Sequence, residues 1–174
     1  MAEQTRDRVR EREAAPGGKY EELLALRGAF NERNQNGKLL IRDSDREWEQ
    51  GKQGYGKIFL MDELTPDTAL RDWYVFVHDI KKQSGKHRHQ GGLVLFVLEG
   101  EGSTEVNGEI IHWEEGDCIL LPILPEGCEH VHFNRGNGTA KWIAFIYVPT
   151  FDAVASELVQ TEVAQAFLDR YGGA

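Results

Sequence analysis

The chain has 174 residues, of which 40% are hydrophobic and 28% charged, and its formal net charge is -9 at pH 7. This size and balance fit one globular domain that can bury a core without disulfide bonds. The acidic charge disfavours nucleic acid or an anionic membrane as a partner, because both are also negative. The sequence has no membrane-spanning run, no secretory signal and only two cysteines, Cys118 and Cys128, so we expect a cytoplasmic protein with free thiols.

The first part of the chain predicts little regular structure. Residues 1–18 are polar and end in Pro-Gly-Gly, and we expect a flexible arm. The next segment, 19–72, should hold an N-terminal helix and extra strands. Apolar residues at helical spacing predict an amphipathic helix over about 19–33. Short apolar runs at 39–41 and 58–61 predict strands.

From residue 73 the pattern becomes that of an all-β domain. Short runs rich in aromatic and β-branched residues are separated by turn residues. The pair Asn107-Gly108 between apolar flanks predicts a tight hairpin, and the run 93–98 predicts a buried strand. We therefore expect a sandwich or closed barrel over 73–149. The remainder, 150–174, is predicted to be a C-terminal helix.

Five of the six histidines lie between residues 87 and 132. His87 and His89 are two apart, so on a strand both would point to one face and could converge on one metal ion. His130 and His132 form a second such pair, and one of them could complete a set of three nitrogen ligands. Imidazole suits iron, zinc, copper and nickel. The alternative is that these are surface or hydrogen-bonded histidines without a metal.

Two stretches of the sequence resemble the paired motifs of the cupin superfamily. The first motif is matched by 85–89 (GKHRH) and 96–102 (FVLEGEG), and the second by 116–117 (GD), 125–130 (PEGCEH) and Asn134. The resemblance implies an all-β single cupin, which is a double-stranded β-helix or jelly-roll barrel, between an N-terminal and a C-terminal helix. It also implies that one divalent metal ion is held by His87, His89 and His130.

Within the superfamily, the order of the motifs is most similar to the N-terminal cupin domain of gentisate 1,2-dioxygenase. Leu93 stands where many cupins have a glutamate ligand, which leaves three neutral ligands and favours the dioxygenase subgroup over manganese enzymes. Leu95 stands where gentisate dioxygenases have an arginine that can clamp a carboxylate, so we expect a different substrate. The second motif carries a small insertion at 123–125. Gentisate dioxygenases have two cupins, and a homodimer would supply the second one here.

The resemblance therefore predicts a mononuclear non-haem iron(II) dioxygenase that cleaves a carbon–carbon bond of a small phenolic or enolic substrate with O2. Manganese, nickel, zinc and copper are the alternative metals. Two other functions stay open: a metal-dependent isomerase, lyase or hydrolase, and a non-catalytic cupin that binds a small molecule. His132 is a candidate donor or base behind the metal ligands, or merely structural. Candidates for lining the substrate pocket, with ordinary core packing as the alternative, are Phe76, Leu95, Phe96, Trp113, Phe133 and Trp142.

Overall fold

The computed structural model describes residues 17–172, so the predicted arm lies almost wholly outside the described residues. Helix α1 spans Lys19–Asn36, which confirms the predicted helix and extends it. None of its residues is buried, so its apolar side chains do not form the buried face that an amphipathic helix would give. The helix is attached near its C-terminal end, where the Arg33 side chain donates to the Thr68 and Thr65 carbonyls and pairs with Asp62.

Two antiparallel sheets face each other and enclose the core. One has six strands in the order β1-β2-β3-β10-β5-β8, and the other has five in the order β11-β4-β9-β6-β7. This arrangement confirms the predicted all-β cupin fold. The strands are β1 (Glu49–Gln50), β2 (Tyr55–Leu60), β3 (Trp73–Asp79), β4 (Lys86–His89), β5 (Leu93–Glu99), β6 (Glu101–Val106), β7 (Glu109–Glu114), β8 (Cys118–Leu121), β9 (Cys128–Asn134), β10 (Lys141–Tyr147) and β11 (Val159–Glu162).

Alternation along the strands decides which side chains form the core. In β5, Leu93, Leu95 and Val97 are buried, whereas Val94 and Phe96 are exposed on the outer face. The prediction of a continuously buried strand at 93–98 is therefore wrong, because only one face of β5 meets the second sheet. The predicted hairpin is confirmed: it joins β6 to β7, with both Asn107 and Gly108 at positive φ.

The segment before the sheets differs from the prediction. The run 58–61 lies largely in β2, which pairs with β3, but 39–41 is not a strand. Leu39 is 93% exposed, and only its neighbour Lys38 forms a bridge, with Thr68. An apolar triplet does not suffice for a strand, because a strand also needs a free sheet edge for its backbone groups. Strand β2 is thus paired within the chain, with β3 on one side and β1 on the other.

The predicted C-terminal helix is present, but it does not extend over the whole of 150–174. The chain forms a short helix, α2, at Val148–Ala153, then β11, and then a second short helix, α3, at Gln165–Tyr171. Ala155 adopts a positive φ of 48° just after α2, which ends the helical path. Strand β11 pairs with β4 and covers that edge of the five-stranded sheet. Among residues 17–172, no helix is long and apolar enough to cross a membrane.

Gly102 gives a test of the packing between β6 and β7. A Cβ atom there would lie 2.2 Å from the Trp113 ring and 2.4 Å from the Phe133 carbonyl oxygen. We expect Gly102→Ala to lower the free energy of unfolding by about 1–3 kcal/mol, the usual cost of overpacking. Urea denaturation of both proteins measures this difference. Gly138→Ala is the control, since nothing lies within 4 Å of the added atom. Equal stability of the two variants would contradict this packing.

Candidate metal centre

The antiparallel pairing of β4 with β9 brings three histidines together. In this register His87 lies directly opposite His130, and His89 lies opposite Cys128. The ring centroids of His87 and His130 are 4.2 Å apart, those of His89 and His130 are 4.9 Å apart, and those of His87 and His89 are 5.6 Å apart. One nitrogen from each ring lies within 4.8 Å of the others. The structure thus selects His130, rather than His132, as the third member of the cluster.

Strand geometry explains why the three rings converge. Neighbouring side chains of β4 point to opposite faces, so Arg88 is exposed while His87 and His89 are buried. Their exposed fractions are 9% and 4%, and that of His130 is 2%. The cluster therefore lies between the sheets and not on the surface.

Burial keeps the cluster uncharged at neutral pH. It lowers the pKa of His130 to about 3 and the pKa of His89 to about 4, and the neighbouring His87 adds to both shifts. Burial also lowers the pKa of His87 itself. Neutral imidazole has one nitrogen with a free lone pair, which is the form that binds a metal.

Hydrogen bonds orient two of the three rings for that purpose. Nδ1 of His130 lies 2.9 Å from the Cys128 carbonyl oxygen, and Nδ1 of His87 lies 3.3 Å from that of Gly85. A carbonyl only accepts, so both Nδ1 atoms carry the proton and both Nε2 atoms are free to bind a metal. His89 differs, because its Nδ1 accepts the Gly91 N–H at 2.9 Å. This ring must give up that bond if Nε2 is to coordinate.

The donor set fits a divalent transition metal. Three neutral, buried imidazoles suit iron, zinc, copper or nickel better than magnesium or calcium, which prefer oxygen ligands. Leu93, the position of the missing glutamate, is buried on β5 in the opposite sheet. No carboxylate belongs to this cluster within residues 17–172.

His132 lies two residues beyond His130 and points to the same face. It is 1% exposed, and its ring centroid is 5.5 Å from that of His130. Its Nδ1 lies 2.8 Å from the Thr104 hydroxyl oxygen. The same oxygen accepts a hydrogen bond of 3.0 Å from the Trp113 indole N–H. His132 thus lies beside the cluster, but its ring is hydrogen-bonded to Thr104.

The candidate pocket residues fall on both sides of the sheets. Phe76, Leu95 and Trp142 are buried between the sheets, and the Trp142 ring centroid lies 4.8 Å from that of His132. Trp113 is buried too and belongs to the same core cluster. The remaining two side chains, Phe96 and Phe133, alternate with inward-facing residues and so point outwards, where Phe133 lies under the Arg135 guanidinium. The structure does not bring these two to the histidine cluster.

Sequence reasoning missed three side chains near the cluster. His78 stacks beside Trp142 with ring centroids 4.8 Å apart, and burial, with a smaller contribution from His87, lowers the pKa of His78 to about 4. Tyr74 lies on the same face of β3 and lines a cavity of about 520 Å³ together with Phe151. Phe151 contacts the cluster, with its ring centroid 6.2 Å from that of His89. The spacing of Tyr74, Phe76 and His78 could have revealed the first two, since residues two apart share a strand face.

A family profile described as the cupin domain matches residues 76–146. A gentisate 1,2-dioxygenase from Haloferax sp is 27% identical over 74 residues, which are 42% of this chain and 19% of that protein. The chain thus matches only about a fifth of the length of this curated relative.

Two solved structures share the fold. The polyketide cyclase RemF from Streptomyces resistomycificus aligns with a TM-score of 0.53 at 15% identity, over 71% of this chain and 85% of that one. A salicylate 1,2-dioxygenase variant from Pseudoaminobacter salicylatoxidans, in complex with gentisate, aligns with a TM-score of 0.51 at 17% identity. This alignment covers 79% of this chain and 36% of that one. The chain therefore has the cupin fold, its residues 76–146 match the cupin-domain family, and a 74-residue segment is similar to part of a gentisate 1,2-dioxygenase.

Proposed function

We propose that this cupin is a mononuclear non-haem iron(II) dioxygenase whose metal is held by His87, His89 and His130. Its reaction inserts both atoms of O2 into a small phenolic or enolic substrate and cleaves a carbon–carbon bond. The observation that carries the proposal is the buried, uncharged three-histidine cluster, to which no carboxylate of residues 17–172 belongs. The gentisate dioxygenase from Haloferax sp supports the reaction class, since its matched segment is 27% identical.

The metal, when bound, would supply Lewis-acid and electron-transfer chemistry. The chain's own residues hold it, exclude water and orient the substrate. The histidine cluster lies between two sheets, so the surrounding dielectric is low and each polar contact is strengthened. Phe76, Leu95 and Trp142 form the apolar part of this interior, and we propose that they contact the substrate ring or its substituents.

The interior favours a substrate without a free carboxylate. Among residues 17–172, Lys57 is the only buried lysine or arginine, and its ammonium group already pairs with Asp43 at 2.7 Å. Leu95 is 1% exposed and offers neither charge nor a hydrogen bond. An unpaired buried carboxylate would cost several kcal/mol. We therefore propose a substrate that presents hydroxyl or carbonyl oxygens.

The reaction class is tested by oxygen consumption. The full chain is purified without oxygen, loaded with Fe(II), and assayed with an oxygen electrode on catechols, gentisates and β-diketones. Uptake of O2 with ring-opened or chain-cleaved product supports the proposal. Product formation without O2 would instead favour a metal-dependent isomerase, lyase or hydrolase. Tight binding of a small molecule without turnover, whatever the metal, would favour a non-catalytic cupin.

Removal of any one ligand should abolish the metal site. Most of the bound Fe(II) should be lost in each of three variants, His87→Ala, His89→Ala and His130→Ala. The same loss is expected if the metal is manganese, nickel, zinc or copper. The core does not depend on a metal, so circular dichroism should still show a folded domain. His112→Ala is the matched control, because His112 lies exposed on β7. The metal content is measured by inductively coupled plasma emission spectroscopy. One metal ion per chain in all three variants would show that these histidines are not the ligands.

Leu95 provides a test of the substrate charge. Leu95→Arg should shift the preference towards gentisate and away from an uncharged dihydroxy-aromatic compound, since it adds a partner for the carboxylate. The measurement is the ratio of the two kcat/KM values. Leu95→Met is the neutral control of similar volume. The opposite result would be efficient cleavage of gentisate by the wild-type protein and a lower kcat/KM for gentisate in Leu95→Arg. That result would show that the carboxylate binds elsewhere.

We also propose that the protein is a cytoplasmic homodimer. Cys118 and Cys128 are both free, which supports a reducing compartment. The outer face of the six-stranded sheet supports assembly, because it exposes an apolar patch of the kind that marks interfaces. We call this patch the outer apolar face. It comprises Val94, Phe96, Leu98 and Leu120, which are 44%, 38%, 43% and 65% exposed, and the partly buried Ile143 and Phe145.

Light scattering at tens of micromolar should therefore give the mass of a dimer. Leu120→Glu should reduce it to that of a monomer, because an interface that buries a lone charge loses several kcal/mol. Ile110→Glu is the control, since Ile110 is 53% exposed at the hairpin of the other sheet. A monomeric mass for the unchanged protein would exclude the dimer under these conditions.

A further inference from the structure

His132 is held in place from two sides. Its ring lies between the sheets, and its backbone N–H donates to the Ser84 hydroxyl at 2.9 Å. Strand register sets it opposite Thr104 of β6. Thr104 is fully buried, as is its hydrogen bond to the His132 ring.

The hydrogen bonds around Thr104 determine where its proton points. An indole N–H can only donate, so Trp113 donates to the Thr104 oxygen. The hydroxyl has one hydrogen of its own, and among residues 17–172 the His132 Nδ1 atom, 2.8 Å away, is the one hydrogen-bond partner of Thr104 Oγ1 that could accept it. If Nδ1 donated instead, the hydroxyl hydrogen would lack an acceptor in a buried place, which costs about 1–3 kcal/mol. Nδ1 therefore accepts, and a neutral His132 carries its proton on Nε2.

We infer that Thr104 and Trp113 are positioning residues that lock His132 in the Nε2–H tautomer, so that this histidine acts as a hydrogen-bond donor and not as a base. Nε2 lies on the side of the ring that faces away from Thr104. Its N–H can then stabilise negative charge on an oxygen or nitrogen atom of a ligand at the neighbouring cluster. This last step rests on the proposed metal site, whereas the tautomer does not.

The tautomer is measured directly by ¹⁵N NMR of the histidine rings in the full chain, without metal and with Zn(II). The His132 signals are assigned by their loss in His132→Asn. In the unchanged protein we expect a protonated Nε2 and an unprotonated Nδ1. Thr104→Val removes the hydroxyl with little change of shape and should give a mixture or the opposite tautomer, whereas Thr104→Ser should restore Nε2–H. A protonated Nδ1 in the unchanged protein overturns the inference.

Two further variants separate positioning from general packing. Trp113→Phe removes the donor that fixes the orientation of the Thr104 hydroxyl, so its hydrogen is free to turn away from His132 and the population of the second tautomer should rise. Ser103→Ala is the matched control. Ser103 is a fully buried hydroxyl on the same strand, but it accepts from Arg135. It should leave the His132 signals unchanged. An unchanged Nε2–H tautomer in both Thr104→Val and Trp113→Phe would also overturn the inference.

The donor role of His132 is tested by titrating the Co(II)-loaded protein with azide, an anionic ligand. Azide binding is followed by the change in the visible absorption spectrum of the bound Co(II). Thr104→Val should weaken azide binding several-fold, and Ser103→Ala should not. Equal azide affinity in the two variants would overturn the proposed hydrogen bond from His132 Nε2–H to a ligand at the cluster. If Co(II) does not bind at all, the metal site fails while the NMR result still decides the tautomer.

Discussion

The register between β4 and β9 is the constraint on which the candidate site depends. It places His87 opposite His130, and strand alternation then brings His89 to the same face. A slip of one residue would turn Arg88 into the interior and both histidines of β4 out of it. Two features stabilise this register: β11 pairs with the other edge of β4, and the loop before β4 joins β9 through the bond from the Ser84 N–H to the His132 carbonyl.

Burial of so many imidazoles has an energetic cost that the fold offsets with hydrogen bonds. Desolvation disfavours the charged form of each ring, so the rings are neutral and each needs a partner for its N–H. Backbone carbonyls accept the Nδ1–H of His87 and of His130, whereas the Thr104 hydroxyl donates to the unprotonated Nδ1 of His132. Within the three-histidine cluster His89 is the exception, because its Nδ1 accepts from Gly91. Backbone groups and neighbouring side chains thus fix the position of each ring proton before any metal binds. Only for His89 must the proton move, from Nε2 to Nδ1, if Nε2 is to coordinate.

The two faces of the six-stranded sheet serve different purposes. Its inner face contributes Leu95 and Trp142 to the core opposite the histidines, and its outer face exposes Phe96 and Leu120. One strand thus connects the proposed substrate pocket to the proposed subunit interface. Since successive residues alternate between these faces, a single misplaced residue in β5 would affect both.

Local sequence signals determined much of this protein. Two His-x-His pairs, the Asn107-Gly108 hairpin and the strand runs from residue 73 are short-range patterns, and strand periodicity is enough to predict that His87 and His89 share a face. Which histidine of the second pair joins them depended on the motif resemblance, because alternation places both His130 and His132 on one face and cannot choose between them. That choice follows from the long-range register of β4 with β9.

Other features were decided only by tertiary structure. Leu39 and its neighbours have the composition of a strand, yet no free edge receives them, and residues 159–162 form a strand because the β4 edge needs a partner. Phe96 and Phe133 were expected near the substrate, but their faces depend on where the second sheet packs. The proton position on His132 depends on Thr104 and Trp113, which lie 28 and 19 residues away in sequence. Local propensity cannot determine such contacts, because they exist only after distant strands have paired and closed the core.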